Sequence, residues 1–256
     1  MRFQEFAVSD ALVRYAEAIW TLSSGGRPAP RDAGFIVPDG CIEIVLSFGD
    51  PVRSTRRSRS LTRFVVGQMT RPFRLIYTGS VDLLAVRLRP SAGRTLLARG
   101  PCLLVNRVVN LENAAPELDA RLALVLTRDT PRRQRRAALQ HQLADWAASA
   151  PHPDPLVERA TTLIRGHRGG GRIAEIARHL HVSPRQLQRR FERDVGLSPK
   201  RWSRIVRFQS AMSSPTQESS WSDRAAAFGY ADQAHLSREF RELRGAPPTD
   251  AWWSSR

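Results

Sequence analysis

Apolar positions follow two different rhythms along the chain. Over residues 1–110 they fall in short runs bounded by turn residues, the pattern of a mainly β unit. The clearest is "FIVPDGCIEIVLSFGD", where Pro38-Asp39-Gly40 predicts a tight turn and Cys41 to Phe48 a partly alternating strand. "RFVVGQMT", "FRLIYTG" and "VDLLAVRLRP" predict three more strands, and the basic stretch 53–60, "RSTRRSRS", reads as a solvated hairpin loop rather than a DNA-grasping arm. After Pro90 the pattern turns helical. A short helix is expected in "SAGRTLLARG", then two more within 116–148, broken at Pro131. Their apolar stripes, Leu118, Leu122, Val125 and Leu126, then Leu139, Leu143 and Trp146, fit packing on the sheet or on a second subunit.

The proline-rich "APHPDP" at 150–155 divides the chain into a unit over 1–150 and a second over 151–256. The second unit reads as helical and repeats itself. LxRxFxxxxGxxP occurs at Leu187, Arg189, Phe191, Gly196 and Pro199, and again at Leu236, Arg238, Phe240, Gly245 and Pro248. Each copy follows a short amphipathic helix, Ile173, Ile176, Ala177 and Leu180 in one and Trp221, Arg224, Ala225 and Phe228 in the other, spaced i, i+3, i+4, i+7. A helix with a small alanine on its inner face, a turn and an anchored second helix is a helix-turn-helix. The turns carry His181 and Gly229, residue types that accept positive φ. Ser183, with Pro184 and Gln186 behind it, and Asp232 are the expected N-caps. Ser198-Pro199 opens a linking helix to about Met212, roughly 20 Å at about 1.5 Å per residue, a spacer able to hold two reading helices near one DNA turn apart.

With Leu187 and Phe191 turned inward, Arg185, Gln188 and Arg189 share the opposite face, and Gln186 adds a donor at the helix start. Arginine reads guanine and glutamine reads adenine bidentately in the major groove. The matching face of the second copy is Gln233, Ala234, Ser237 and Arg238, and Lys200, Arg201 and Arg204 on the spacer add phosphate attraction. Residues 172–207 hold ten Arg or Lys against three Asp or Glu, a net of +7, whereas 221–256 hold five of each. The whole chain carries +16, which favours a polyanionic partner and predicts steep salt dependence. Two cysteines, Cys41 and Cys102, are too few for a disulfide framework and read as small core residues in a reducing cytoplasm. With neither a leader-like start nor a run of about 20 apolar residues, the protein is expected to be cytoplasmic and off the membrane.

At these residues the sequence resembles the AraC family of bacterial transcription regulators over about 156–254, most closely in "FGYADQAHLSREFRELRGAPP". The resemblance implies an α+β protein, a mainly β cupin-like domain with helices followed by an all-α double helix-turn-helix domain. By position, Arg185, Gln188 and Arg189, then Gln233, Ser237 and Arg238, fall where that family contacts double-stranded DNA. The N-terminal "VPDGCIEIVLSF" and "VVGQMTRPFRLIYTGSVDLLAVRLRP" look like the sensor region of a subgroup, implying a small-molecule effector or a homodimer; RNA polymerase is a further candidate partner. No histidine precedes His141, so neither metal nor other cofactor is expected, and Arg71, Arg74, Arg87 and Arg89 are read as surface arginines before effector ligands. Arg224 departs from the family, which has an aliphatic residue there. It must snorkel, pair with Asp223 or Glu218, or loosen the second module.

Two other functions compete with a regulator. An alkyl-accepting DNA-repair protein would need an activated thiolate, and Cys41 has no cysteine or histidine near it in sequence. A nonspecific architectural DNA protein would bind by charge alone.

Overall fold

The computed structural model describes residues 1–29, 34–54, 57–98, 100–213 and 220–248, with the side chains of 57–59 left aside. Among the described residues, ten strands build the first half: β1 (Arg2–Phe6), β2 (Ala16–Pro28), β3 (Phe35–Ile36), β4 (Ile42–Ser47), β5 (Val52–Ser54), β6 (Arg57–Leu61), β7 (Arg63–Val66), β8 (Phe73–Tyr77), β9 (Ser80–Leu88) and β10 (Val108–Asn110). They form a six-stranded sheet, β1-β2-β9-β4-β7-β10, and a four-stranded one, β3-β8-β5-β6, with every pairing antiparallel. The basic stretch 53–60 is largely paired strand, not open loop, because Val52 and Leu61 anchor β5 to β6 in the core. Its tip, 55–56, lies outside the described residues.

Central strands are buried on both faces, which is why β4 and β9 read as near-continuous apolar runs. Ile42, Ile44, Leu46, Leu84, Val86 and Leu88 face one core; Val45, Val81, Leu83 and Ala85 alternate into another with Val52, Phe73 and Leu75 of the smaller sheet. Helices cover the first face: α1 (Gly93–Leu96), α2 (Leu111–Ala114), α3 (Pro116–Val125) and α4 (Arg132–Ser149). Leu118, Leu122, Leu126, Leu139 and Leu143 pack on the sheet, which decides between the two destinations left open for these stripes. Val125 is instead 39% exposed.

The rest is helical: α5 (Pro155–Gly166), α6 (Ile173–His179), α7 (Pro184–Val195), α8 (Pro199–Ser213), α9 (Trp221–Ala227) and α10 (Gln233–Arg244). One core joins all six, with Leu187, Phe191, Trp202, Phe208 and Phe240 at its centre. The two halves are pressed together. The Trp202 indole donates to the Gly40 carbonyl at 2.8 Å, which also accepts from Gln68 Nε2 at 2.9 Å, and Arg165 pairs with Glu17. At the end of α7, Gly196 has φ +88°, and a Cβ there would sit 2.7 Å from the Pro101 carbonyl carbon. Only glycine meets both demands.

Candidate nucleic-acid interface

Helix α7 is fixed at both ends by its own sequence. Ser183 Oγ accepts from the Gln186 amide while Gln186 Oε1 accepts from the Ser183 amide at 2.9 Å, the reciprocal capping box. Gln186 is thereby held as a cap. The preceding turn passes through His181 at φ 55°, and Gly229 takes φ 70° at the same point of the second module. Leu187 and Phe191 are fully buried, while Arg185, Gln188 and Arg189 are exposed together on the other side. Gln188 Nε2 reaches Glu192 Oε1 at 3.0 Å, one turn along. Arg185 and Arg189 make no ion pair among the described residues.

The other two arginines of α7 are engaged. Arg190 grips Asp154 through two bonds of 2.7 and 2.6 Å, and Arg193 adds a third at 2.9 Å. Asp154 also caps α5 through the Leu156 amide. Burial alone would raise the Asp154 pKa, but Arg190 and the amide outweigh it and hold the carboxyl below its usual range. Hence α7 divides its charge, with two arginines locking the helix to α5 and two left facing solvent.

The second module repeats the plan with fewer donors. Ser220 and Asp223 form a capping box for α9, and Asp232 accepts from the His235 amide at 2.6 Å to cap α10. Gln233, Ala234 and Arg238 are exposed and Ser237 is half-buried. Arg224 is only 3% exposed, so it does not snorkel. The carboxylate of Asp223 is taken by Ser220, at 3.1 Å to its amide and 2.7 Å to its hydroxyl, and Glu218 lies outside the described residues. The Arg224 guanidinium lies over the Trp221 ring at 5.1 Å, and burial pulls its pKa down.

On the spacer, Lys200 and Arg201 are exposed, and Arg201 Nη2 reaches Thr70 Oγ1 of the first half at 3.3 Å. Arg204 is placed differently from the phosphate-binding role expected of it. Its Nε donates to Glu239 at 2.7 Å, and its terminal nitrogens hold Glu242, so the guanidinium ties α8 to α10. Glu239, unremarked in the sequence, is the hub of this joint. Its buried carboxylate also accepts from Arg207 at 3.0 Å and from the Tyr230 hydroxyl at 2.9 Å. The signal was present: Leu236, Glu239, Phe240 and Leu243 share one inward stripe, and an acid there needs partners.

The two cysteines differ from each other. Cys102 is exposed, correcting its expected place in the core. Cys41 is buried, and burial followed by the nearby Asp39 and Glu17 pushes its thiol well above the usual range, the opposite of an activated thiolate. Arg87 is no simple surface arginine; it reaches Glu43 at 3.2 Å, Glu5 at 3.0 Å and Asp39 at 3.6 Å. Among the described residues no group of three potential ligands could hold a metal ion, and no helix is long and apolar enough to cross a membrane.

Residues 176–251 match the family model described as a helix-turn-helix domain, which spans both turns, the linking helix α8 and helices α7 and α10. The C-terminal unit is an AraC-type helix-turn-helix domain. Residues 4–110 match a second model, a domain of unknown function designated DUF6597. Similar solved structures include the C-terminal domain of AraT, a response regulator from Geobacillus stearothermophilus (26% identity, 37% of this chain and 81% of that one, TM-score 0.35). ToxT from Vibrio cholerae is similar at 12% identity over 90% of this chain and 96% of that one, TM-score 0.49. A ToxT structure bound to (E)-4-(8-methylnaphthalen-1-yl)but-3-enoic acid gives 12%, with the same coverages and a TM-score of 0.48. No curated protein matches the sequence. The helix-turn-helix domain supports a DNA-binding transcriptional regulator.

Proposed function

We propose that this regulator is sequence-specific, reads two major-groove segments with α7 and α10, and responds to a small-molecule effector through its N-terminal half. The observation that carries the reading is the outward trio Arg185, Gln188 and Arg189, exposed and free of ion pairs among the described residues, beside two arginines of the same helix that are tied to Asp154. A helix that existed only to be solvated would have no need to divide its arginines this way. Gln233, Ala234, Ser237 and Arg238 form the second and weaker reading face, and Lys200 and Arg201 supply phosphate contacts. Arg204 is left out, because Glu239 and Glu242 hold it. In this reading residues 1–150 sense and dimerise, and 151–256 bind DNA.

Genome-wide footprinting with the full chain locates the sites. Arg189→Ala should then cost roughly 1–3 kcal/mol on the matched site and relax preference at one base pair. An equal loss on matched and mismatched DNA would show a nonspecific architectural binder instead.

A further inference from the structure

A cleft of about 640 Å³ opens between the N-terminal half and the C-terminal end of α7. That size falls within the roughly 300–1,000 Å³ of small-molecule sites. Leu96, Leu97, Ala115 and the Trp146 indole form an apolar floor. Among the described residues, six charged or titratable groups stand around it: Arg94, Glu117, His152, Asp154, Arg193 and Asp194.

Their pairing decides what the cleft can hold. Asp154 is saturated by Arg190 and Arg193, and Asp194 by two bonds from Arg193 at 2.7 and 2.9 Å, so neither carboxylate is open to a cation. His152 is bound through Nδ1 to the Tyr15 hydroxyl at 3.2 Å. Arg94 is different. It makes no hydrogen bond among the described residues, and its one ion pair, to Asp194, is a loose 3.8 Å. A guanidinium with all its donors available beside an apolar floor suits a carboxylate or sulfonate on an apolar body. Glu117, the uncompensated acid, is exposed on the first turn of α3, where water screens it.

We propose that this cleft is the effector site, taking a small molecule with an apolar body and a single anionic head bound by Arg94. The proposal rests on the effector-responsive reading above. Its consequence follows from the wall that α7 supplies. Arg193 and Asp194 belong to the reading helix, and Arg193 joins it to the cap of α5, so an anion that draws Arg94 away changes the charges seated at the base of that helix.

The probe is 1-anilinonaphthalene-8-sulfonate, titrated into the full chain and followed by fluorescence, with 3-phenylpropanoate, 3-phenylpropanol and 3-phenylpropylamine as competitors. Saturable binding is expected, displaced by the carboxylate at concentrations at least tenfold below those needed of the alcohol or amine. Arg94→Ala should weaken it about tenfold and Ala98→Trp, which fills the rim, should abolish it, both with unchanged thermal melts. Binding that ignores both variants, or equal displacement by all three competitors, overturns the site. If the probe binds as expected yet leaves affinity for a footprinted DNA site unchanged, the cleft stands as a ligand site and the effector reading falls.

Discussion

Replacing Glu239 by glutamine tests the joint between the reading heads. The substitution keeps the side-chain volume and an acceptor for Tyr230 but removes the charge shared by Arg204 and Arg207. Arg204 retains Glu242, whereas Arg207 has no other acid among the described residues; its side chain is 18% exposed and its Nε has no hydrogen-bond partner. Breaking a buried pair by removing one partner costs about 3–5 kcal/mol. Partial exposure of both arginines places this case near the lower end, about 3 kcal/mol. At about 2.1 cal/mol/K per residue, that lowers Tm by roughly 15 °C if the helical half of about 100 residues melts alone, and by roughly 6 °C if the whole chain melts as one unit. Calorimetry therefore also measures how firmly the halves are coupled. Arg207→Met alone leaves Glu239 with Arg204 and Tyr230, and combining it with Glu239→Gln should recover about 2 kcal/mol relative to the sum of the single losses. A Tm within 1 °C of wild type, or strict additivity in the cycle, would refute the joint.

Three other outcomes are expected. Gly196→Ala forces a left-handed φ on alanine and a 2.7 Å approach to Pro101, so urea unfolding should show a loss of at least about 2 kcal/mol; an unchanged midpoint would mean that α7 is not seated on residues 101–102. Burial first, then Asp39, raises the Glu43 pKa to about 7 against the opposing Arg87 and Trp20 contacts. The native state then binds this proton more tightly than the unfolded chain, so its stability contribution is full below about pH 4.5 and is lost as pH rises through about 7. Glu43→Gln should flatten the Tm profile in that window, leaving the slope due to Asp39, which is raised in the same direction; an unaltered profile would place the titration elsewhere. Trp202→Phe deletes the indole bond to Gly40, whose carbonyl keeps Gln68, and should cost about 1 kcal/mol by chemical denaturation, with no loss arguing that the contact between halves is unimportant there.

How much of this was legible in the sequence depends on whether the signal was local. The reading helices were, because caps, turn residues and anchors lie within four positions of one another: Ser183 with Gln186, His181, Gly229 and Asp232 all sit as their types predict. Strands β4, β7, β8 and β9 were also visible as apolar runs. β1 and β2 were not, since β1 is an edge strand with four of its five residues exposed, and the end of β2 carries Ser-Ser-Gly-Gly-Arg. Partnerships at long range left still less trace. Nothing near Arg190 in sequence announces Asp154, 36 positions away, and Arg204 resembled a free phosphate contact until Glu239 and Glu242 came beside it.

Those distant partnerships give the two reading heads different attachments. The base of α7 is seated against the N-terminal half through Gly196 on Pro101, Arg94 near Asp194, and the Asp154 lock that reaches back to α5. The end of α10 meets the same half by an apolar approach, Gly245 toward Pro72, and is otherwise held to α8 through Glu239. A change in the N-terminal half therefore acts directly on the base of α7, the helix with the richer set of outward donors, and on the spacer, whose Trp202 is bonded to Gly40, and it reaches α10 mainly through that spacer. Under the proposed reading of DNA by α7 and α10, that ordering makes affinity at the half-site of α7 the quantity most sensitive to anything bound in the neighbouring cleft, and Glu239→Gln the substitution that should uncouple the half-site of α10 while leaving that of α7 responsive.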